Sequence, residues 1–187
     1  LFPVGRLDKD TTGLLLFTND GELGNALIHP RHHVPKTYRA LVSGQVGNRT
    51  LEALRSGVVL EDGPTQPAEV ELLERQPKHT LLEITIYEGR NRQIRRMCEA
   101  VGLDVIRLRR SALGAVKLGM LQPGQYRELT SQEVAALRTA ASRGKATATI
   151  AKNTAANAAR RTAAGPHGPR APKGAVAARK KRGGNRG

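Results

Sequence analysis

The chain has 187 residues, with 31 Lys or Arg against 16 Asp or Glu and a formal net charge of +15. No unbroken apolar run is longer than Leu14 to Phe17, too short for a bilayer-spanning helix or a signal-peptide core, and the single cysteine, Cys98, excludes an internal disulfide framework and a multi-cysteine metal site. The charge is uneven: 12 Lys or Arg and no Asp or Glu fall from Ala141 onward, so residues 1–140 are nearly balanced at +3 and have the size of one domain with its own core.

In chain order, Leu14 to Thr18 is a short apolar run between Gly13 and Asn19-Asp20-Gly21 and predicts a buried strand. Asp20 predicts an N-cap, with Glu22 in the first turn of a helix that runs to about Ile28 and ends before Pro30. Tyr38 to Val42 alternates as a strand does, and Asn48 is expected to cap a short helix through Leu51 and Leu54, closed at Gly57. Ala68 to Leu73 and Thr80 to Tyr87 predict two more strands, the second with Leu82, Ile84 and Ile86 on one face. Asn91 to Val101 carries Ile94, Met97, Cys98 and Val101 at helical spacing before Gly102, Val105 and Leu108 suggest another strand, and Ser131 is expected to cap a last helix to about Arg138.

Strands outnumber helices and most connections are short, which predicts an α+β fold: a mixed but mostly antiparallel sheet with flanking helices over residues 1–140. Residues 141–187 are rich in Ala, Gly, Lys and Arg and contain no aromatic residue. Such a segment cannot bury enough apolar surface to offset its ordering entropy, so a disordered tail is expected, acting as an electrostatic arm on RNA or the ribosome or as a solubilising extension.

Three segments are candidates for chemistry. Arg6-Leu7-Asp8 sits in a loop bracketed by Gly5 and Gly13, where an acid can be a turn former or a catalytic group held by rigid neighbours. Asp8 and Asp10 are not presumed to be an acid/base pair, since in a strand their side chains would share a face and repel. The second segment, Glu88 to Arg96, opens the amphipathic helix. With Arg107, Arg109 and Arg110 it gives seven arginines between positions 90 and 110, alongside Glu88, Glu99 and Asp104. A charge run is usually a solvated face, but guanidinium groups also make forked contacts with phosphate, so Arg90, Arg92, Arg96, Arg107, Arg109 and Arg110 are candidate RNA contacts, with Arg6 beside the acid. The third is Lys36-Thr37-Tyr38-Arg39, in which Tyr38 is either core packing or a stacking platform for a base. His29, His32 and His33 lack a nearby acidic or cysteine ligand, so no metal site is expected. Cys98 reads as an inert core thiol, and no glycine-rich phosphate loop suggests a nucleotide cofactor.

Together, Gly5-Arg6-Leu7-Asp8 with Thr11 and Gly13-Leu14-Leu15-Leu16, Thr18-Asn19-Asp20-Gly21, Lys36-Thr37-Tyr38, Leu60-Glu61-Asp62-Gly63-Pro64-Thr65, Glu88 to Met97 and Leu121-Gln122-Pro123-Gly124 resemble the RNA pseudouridine synthases. They are most similar to the branch that modifies bacterial ribosomal RNA (RsuA/RluB/RluE/RluF type), and the Leu60 to Thr65 stretch leans toward its large-subunit members. The resemblance spans residues 2 to 138. It implies a pseudouridine-synthase catalytic domain that isomerises a specific uridine in ribosomal RNA, 23S by the same leaning, by base flipping and without a cofactor. Asp8 would be the catalytic aspartate, Tyr38 the active-site tyrosine and Arg95 the basic residue paired with the aspartate. Implied too are a cytoplasmic monomer, a partner that is ribosomal RNA or a pre-ribosomal particle, and no membrane. The alternative is a non-catalytic RNA-binding or ribosome-assembly protein on the same fold. The S4-type domain and first strand usual in that branch do not precede Leu1, so the chain is expected to be the catalytic part of a longer protein.

Overall fold

Only residues 1–143 are described in the structure, a computed structural model; the expected tail over 144–187 lies outside the described residues. Alternating apolar residues build the central strands. Lys36–Ser43 (β4) turns Ala40 and Val42 inward, and His79–Ile86 (β8) buries Thr80, Leu82, Ile84 and Ile86 on one face. Both have the period of two that a half-buried strand requires. Val105–Leu113 (β9) lies on the other side of β4, Glu69–Arg75 (β7) beyond β8, and the short Val116–Lys117 (β10) outside β9. These five pair antiparallel, while Thr11–Gly13 (β2) adds to β9 in parallel, so the sheet is mixed as the sequence predicts.

Helices Asn48–Ser56 (α2) and Gln93–Ala100 (α3) cover one face of this sheet, with Leu51, Leu54, Ile94, Met97 and Cys98 packed on Ala40, Val42, Leu82, Ile84 and Leu108. Each of these fully buried leucine or isoleucine side chains contributes about 1.5–3 kcal/mol through surface removed from water. A second cluster joins Val4, Leu14, Leu16, Leu27, Val34, Leu113, Val116 and Leu137. It is built on helix Gly21–Ile28 (α1) and a helix over 131–143 (α4), which Arg138 ties to Asp20, the N-cap of α1, at 3.0 Å. Two-residue pairs complete the molecule: Phe2–Pro3 (β1) with Phe17–Thr18 (β3), and Val59–Leu60 (β5) with Gly63–Pro64 (β6).

Four local expectations are corrected. The strand expected over Leu14 to Thr18 is divided, because Gly13 carries the chain off the sheet edge and residues beyond it turn back to β1 through Val4 N–H donating to Leu16 O at 2.8 Å. Gly47, not Asn48, caps α2, and no side chain bonds the exposed amides there. Thr130, not Ser131, caps α4: its Oγ1 accepts from Glu133 N while Glu133 Oε2 accepts from Thr130 N, a reciprocal box. Helix α4 also carries past Arg138 to 143 with Ala141 buried, so the first residues assigned to the tail belong to the folded part.

Candidate active site

The pairing of β1 with β3 throws residues 5–15 out as a loop that returns along β9. Within it, Thr11 N–H donates to Asp8 O at 3.0 Å and closes a tight turn. Gly13 allows the return: its φ is +112°, and a Cβ there would sit 2.2 Å from Arg110 O, so no other residue lets β2 lie against β9. The turn places Asp8 on the wall of a cavity of about 330 Å³ at the seam between the two apolar clusters. Arg6 and Thr11 join it from the loop, Lys36 and Tyr38 from β4, Arg110 from β9, and Arg90, Arg92 and Gln93 from the start of α3. Val4, Ile86, Ile94, Leu108 and Leu113 are the apolar lining.

The polar groups of this cavity are unusually short of partners. The Asp8 carboxylate makes no hydrogen bond or ion pair among the described residues, though Arg92 feels its charge, and the Lys36 ammonium makes none either. Burial, and then the charge of Arg110, pushes the Lys36 pKa down from the usual lysine range. Arg110 is only 3% exposed. Its Nε donates to Leu14 O at 2.8 Å, but its terminal nitrogens have no acceptor, and Nη2 is cut off from solvent. Thr11 Oγ1 is likewise buried without a partner. A buried polar group left unmatched costs about 1–3 kcal/mol, so such a concentration marks a site kept open for something polar.

The arginines divide in a way the sequence did not predict. Arg95, expected to pair with Asp8, instead donates from Nη2 to Asp10 O at 2.6 Å and places Nε 3.5 Å from Asp10 Oδ2. Arg92 grips the same carboxylate with two bonds, at 2.8 and 3.0 Å. The cause is the turn at Asp8: it leaves Asp8 on the cavity and Asp10 exposed toward α3. This clamp, chiefly the Arg92 bonds, holds the Asp10 carboxyl down at about 2. Arg96 takes both oxygens of Asp62, and Arg90 donates to Gly63 O and Pro64 O while lying 3.3 Å from Glu88 Oε2. Four of the seven arginines therefore tie α3 to the aspartate loop and the β5–β6 turn. Arg107 and Arg109 point from β9 to the open face of the sheet and have no partner among the described residues. Arg110, grouped with them by sequence, is out of phase by one residue and faces the cavity instead.

Lys36, Thr11 and Gln93 were assigned no role by sequence reasoning. Lys36 could have been found, since it stands two residues before Tyr38 and so shares its face. Gln93 is buried at the start of α3, where its Nε2 donates to Glu88 Oε1 at 2.7 Å and its Oε1 accepts from Arg90 N at 3.1 Å. The histidines serve the backbone: His29 Nδ1 accepts from Arg31 N, while His32 and His33 bond Ala26 O and Tyr87 O. Burial pushes the Cys98 thiol up to about 12, which leaves it unreactive.

Comparison with known proteins gives one consistent likeness. The family profile described as RNA pseudouridylate synthase matches residues 1–100. An uncharacterized RNA pseudouridine synthase of Aquifex aeolicus is 50% identical over 137 residues, covering 73% of this chain and 55% of that protein. The ribosomal large subunit pseudouridine synthase B of Bacillus subtilis is 47% identical over 147 residues, covering 78% and 60%. A crystal structure of a pseudouridylate synthase superimposes with a TM-score of 0.68 at 39% identity, over 72% of this chain and 58% of that one. The chain thus spans little more than half the length of these relatives.

Proposed function

The chain belongs to the RNA pseudouridylate synthase family, and from that premise we propose that it isomerises a specific uridine of ribosomal RNA, in the large subunit, to pseudouridine. The observation that carries this reading is Asp8: an acid whose carboxylate has no hydrogen bond or ion pair among the described residues, on the wall of a cavity that Tyr38 also lines. At about 330 Å³ the cavity suits one small ligand. Similarity to a ribosomal large subunit enzyme supports the choice of RNA.

The target nucleotide leaves its stack, at a cost of a few kcal/mol, and its base lies on Tyr38. Asp8, ionised, either attacks C1′ of the ribose or removes a proton from the sugar. On both routes the bond from C1′ to N1 breaks with its electron pair going to the base, which turns and joins C1′ through C5, releasing Asp8 from C1′ on the first route and taking back the sugar proton from Asp8 on the second; C5 loses its proton and N1 gains one. Oxidation state is conserved, so the chemistry calls for no cofactor. Arg95 and Arg92 act as positioning residues, fixing the Asp8 turn through Asp10. Of the arginines assigned to RNA, Arg6 at the cavity and Arg107 and Arg109 on the open sheet face have no carboxylate partner among the described residues and are available to phosphate. Arg90 and Arg96 reach RNA only by sharing it with Asp62 and Glu88. The protein works as a cytoplasmic monomer on ribosomal RNA or a pre-ribosomal particle.

The test is Asp8→Asn on ribosomal RNA transcripts, with pseudouridine mapped by mass tagging. The parental chain is expected to form product and the variant to lose at least about 10³-fold in rate, with RNA affinity unchanged within about threefold. Binding by the parental chain without product would turn the reading to a non-catalytic RNA-binding protein.

A further inference from the structure

We propose that Arg110 is a catalytic residue that reads the base: its free guanidinium nitrogens take a carbonyl oxygen of the extruded uracil and hold the negative charge that collects there when the C1′–N1 bond breaks. The inference rests on the reaction proposed above and assigns one residue within it. It does not depend on which route Asp8 takes, because the electron pair leaves with the base in both.

Three observations converge on Arg110. Its side chain is 3% exposed and lines the same cavity as Asp8 and Tyr38, so the phosphate backbone of an RNA lying outside cannot reach it, whereas a base inserted into the cavity can. Its orientation is fixed: Nε is anchored on Leu14 O at 2.8 Å, and the backbone of β9 sets Arg110 directly across from Tyr38 of β4. A base stacked on the ring would have its edge toward the neighbouring strand. Finally, the terminal nitrogens lack an acceptor in a part of the molecule where Arg92 and Arg96 each grip a carboxylate with two bonds. Lys36, without a partner on the same wall, adds a second positive charge.

The negative charge of a departing uracil spreads from N1 onto both carbonyl oxygens. Fixed donors aimed at such developing charge, in a site with little water, are worth about 10² to 10³ in rate each. Asp8 supplies the opposite polarity for the sugar, so acid and guanidinium would divide the nucleotide between them.

The experiment compares the parental 187-residue chain with Arg110→Lys on two RNAs that carry uridine or 5-fluorouridine at the target position. Consumption of the parent nucleoside is read after digestion, under single turnover. Fluorine stabilises the departing base, so it should need Arg110 less. Expected is a loss of about 10² to 10³-fold on uridine, a loss at least about tenfold smaller on 5-fluorouridine, and RNA affinity within about threefold throughout. Equal losses on the two bases, or a variant as fast as the parent, would overturn the inference while leaving the isomerase reading intact. A parental chain that consumes no uridine would end both. Since Arg110 also braces Leu14, a second measurement uses the parental chain alone, titrated with barbiturate, a pyrimidine already anionic at neutral pH, and with uracil. At least about tenfold tighter binding of barbiturate is expected, and equal affinity would count against Arg110 as a holder of base charge.

Discussion

Asp8 and Asp10 are separated by one residue, yet one faces a cavity and the other grips α3. The turn closed by Thr11 N–H makes the difference. In an extended strand the two carboxylates would share a face, which is how the sequence reads when the turn is not known. Asp10 therefore carries no role in the sequence, and of its two arginines Arg92 reads as an RNA contact and Arg95 as the partner of Asp8. The clamp has a definite pH signature. Its carboxyl ionises at about 2 in the folded chain against 3.8 for an ordinary aspartate. A depressed acid contributes stability that is fully present above the unfolded value and is lost as pH falls through the folded one. Asp10→Asn is accordingly expected to lower the melting temperature at neutral pH, with the gap to the parental protein constant from about pH 5 to 8 and closing as pH falls from about 4 toward 2. Calorimetry across that range checks it, and a gap that persisted unchanged at the acid end would show that the carboxylate charge is not the source. Pseudouridine formation by the same variant should slow about tenfold, with little change in RNA affinity, because the turn under Asp8 loses its tie.

The elements themselves were largely legible, because periodicity and punctuation are local properties. Strands β4, β7, β8 and β9, helices α1 and α3 and the α2 stop at Gly57 all follow from alternation, from helical spacing or from a Gly, Pro or Asp at the right place. What failed was set by tertiary contact. The split of the Leu14 to Thr18 run depends on β9 arriving alongside Gly13, and the phase of Arg107, Arg109 and Arg110 depends on which face of β9 meets the helices. The cap of α4 was within reach, since Thr130-Ser131-Gln132-Glu133 is a capping box read one residue late. Gly57 offers a clean test of element-level stability away from the cavity. Its φ is +92°, and a Cβ would lie 2.4 Å from Thr65 O, just beyond the strand pair that follows α2. Gly57→Ala should cost at least about 1–3 kcal/mol through that strain, visible as a lower urea midpoint, while the rate per folded molecule stays at the parental value. A midpoint unchanged within error would mean that the α2 end relaxes freely.

At the scale of the whole molecule, charge is arranged differently from its distribution in the sequence. Arg90, Arg92, Arg95 and Arg96 are neutralised by Glu88, Asp10 and Asp62, and Arg110 is buried, so the arginine cluster of the sequence offers few cations to a polyanion, whereas Lys9, Arg31, Arg49, Lys78 and Lys117 lie scattered, exposed and without a carboxylate partner among the described residues. Arg107 and Arg109 remain, opposite Arg39, which is shared with Glu83 at 3.6 Å. By contrast, residues 144–187 hold 11 Lys or Arg and no acid. If affinity for RNA comes mainly from phosphate contacts, that segment, with its cations close together in sequence, is expected to supply a large share of them. Deleting residues 144–187 is therefore expected to reduce the slope of log affinity against log salt by several units, at about 0.7 to 0.9 per phosphate released. Replacing Arg107 and Arg109 by Gln in the full chain should reduce it by about one to two. The rate of the chemical step at saturating RNA should be unchanged by the deletion, because Asp8, Tyr38 and Arg110 all lie within the first 143 residues. An unaltered slope would place the phosphate contacts on residues 1–143, where Arg107, Arg109 and the cavity-mouth Arg6, with the exposed Lys9, Arg31, Arg49, Lys78 and Lys117, are cations without a carboxylate partner among the described residues.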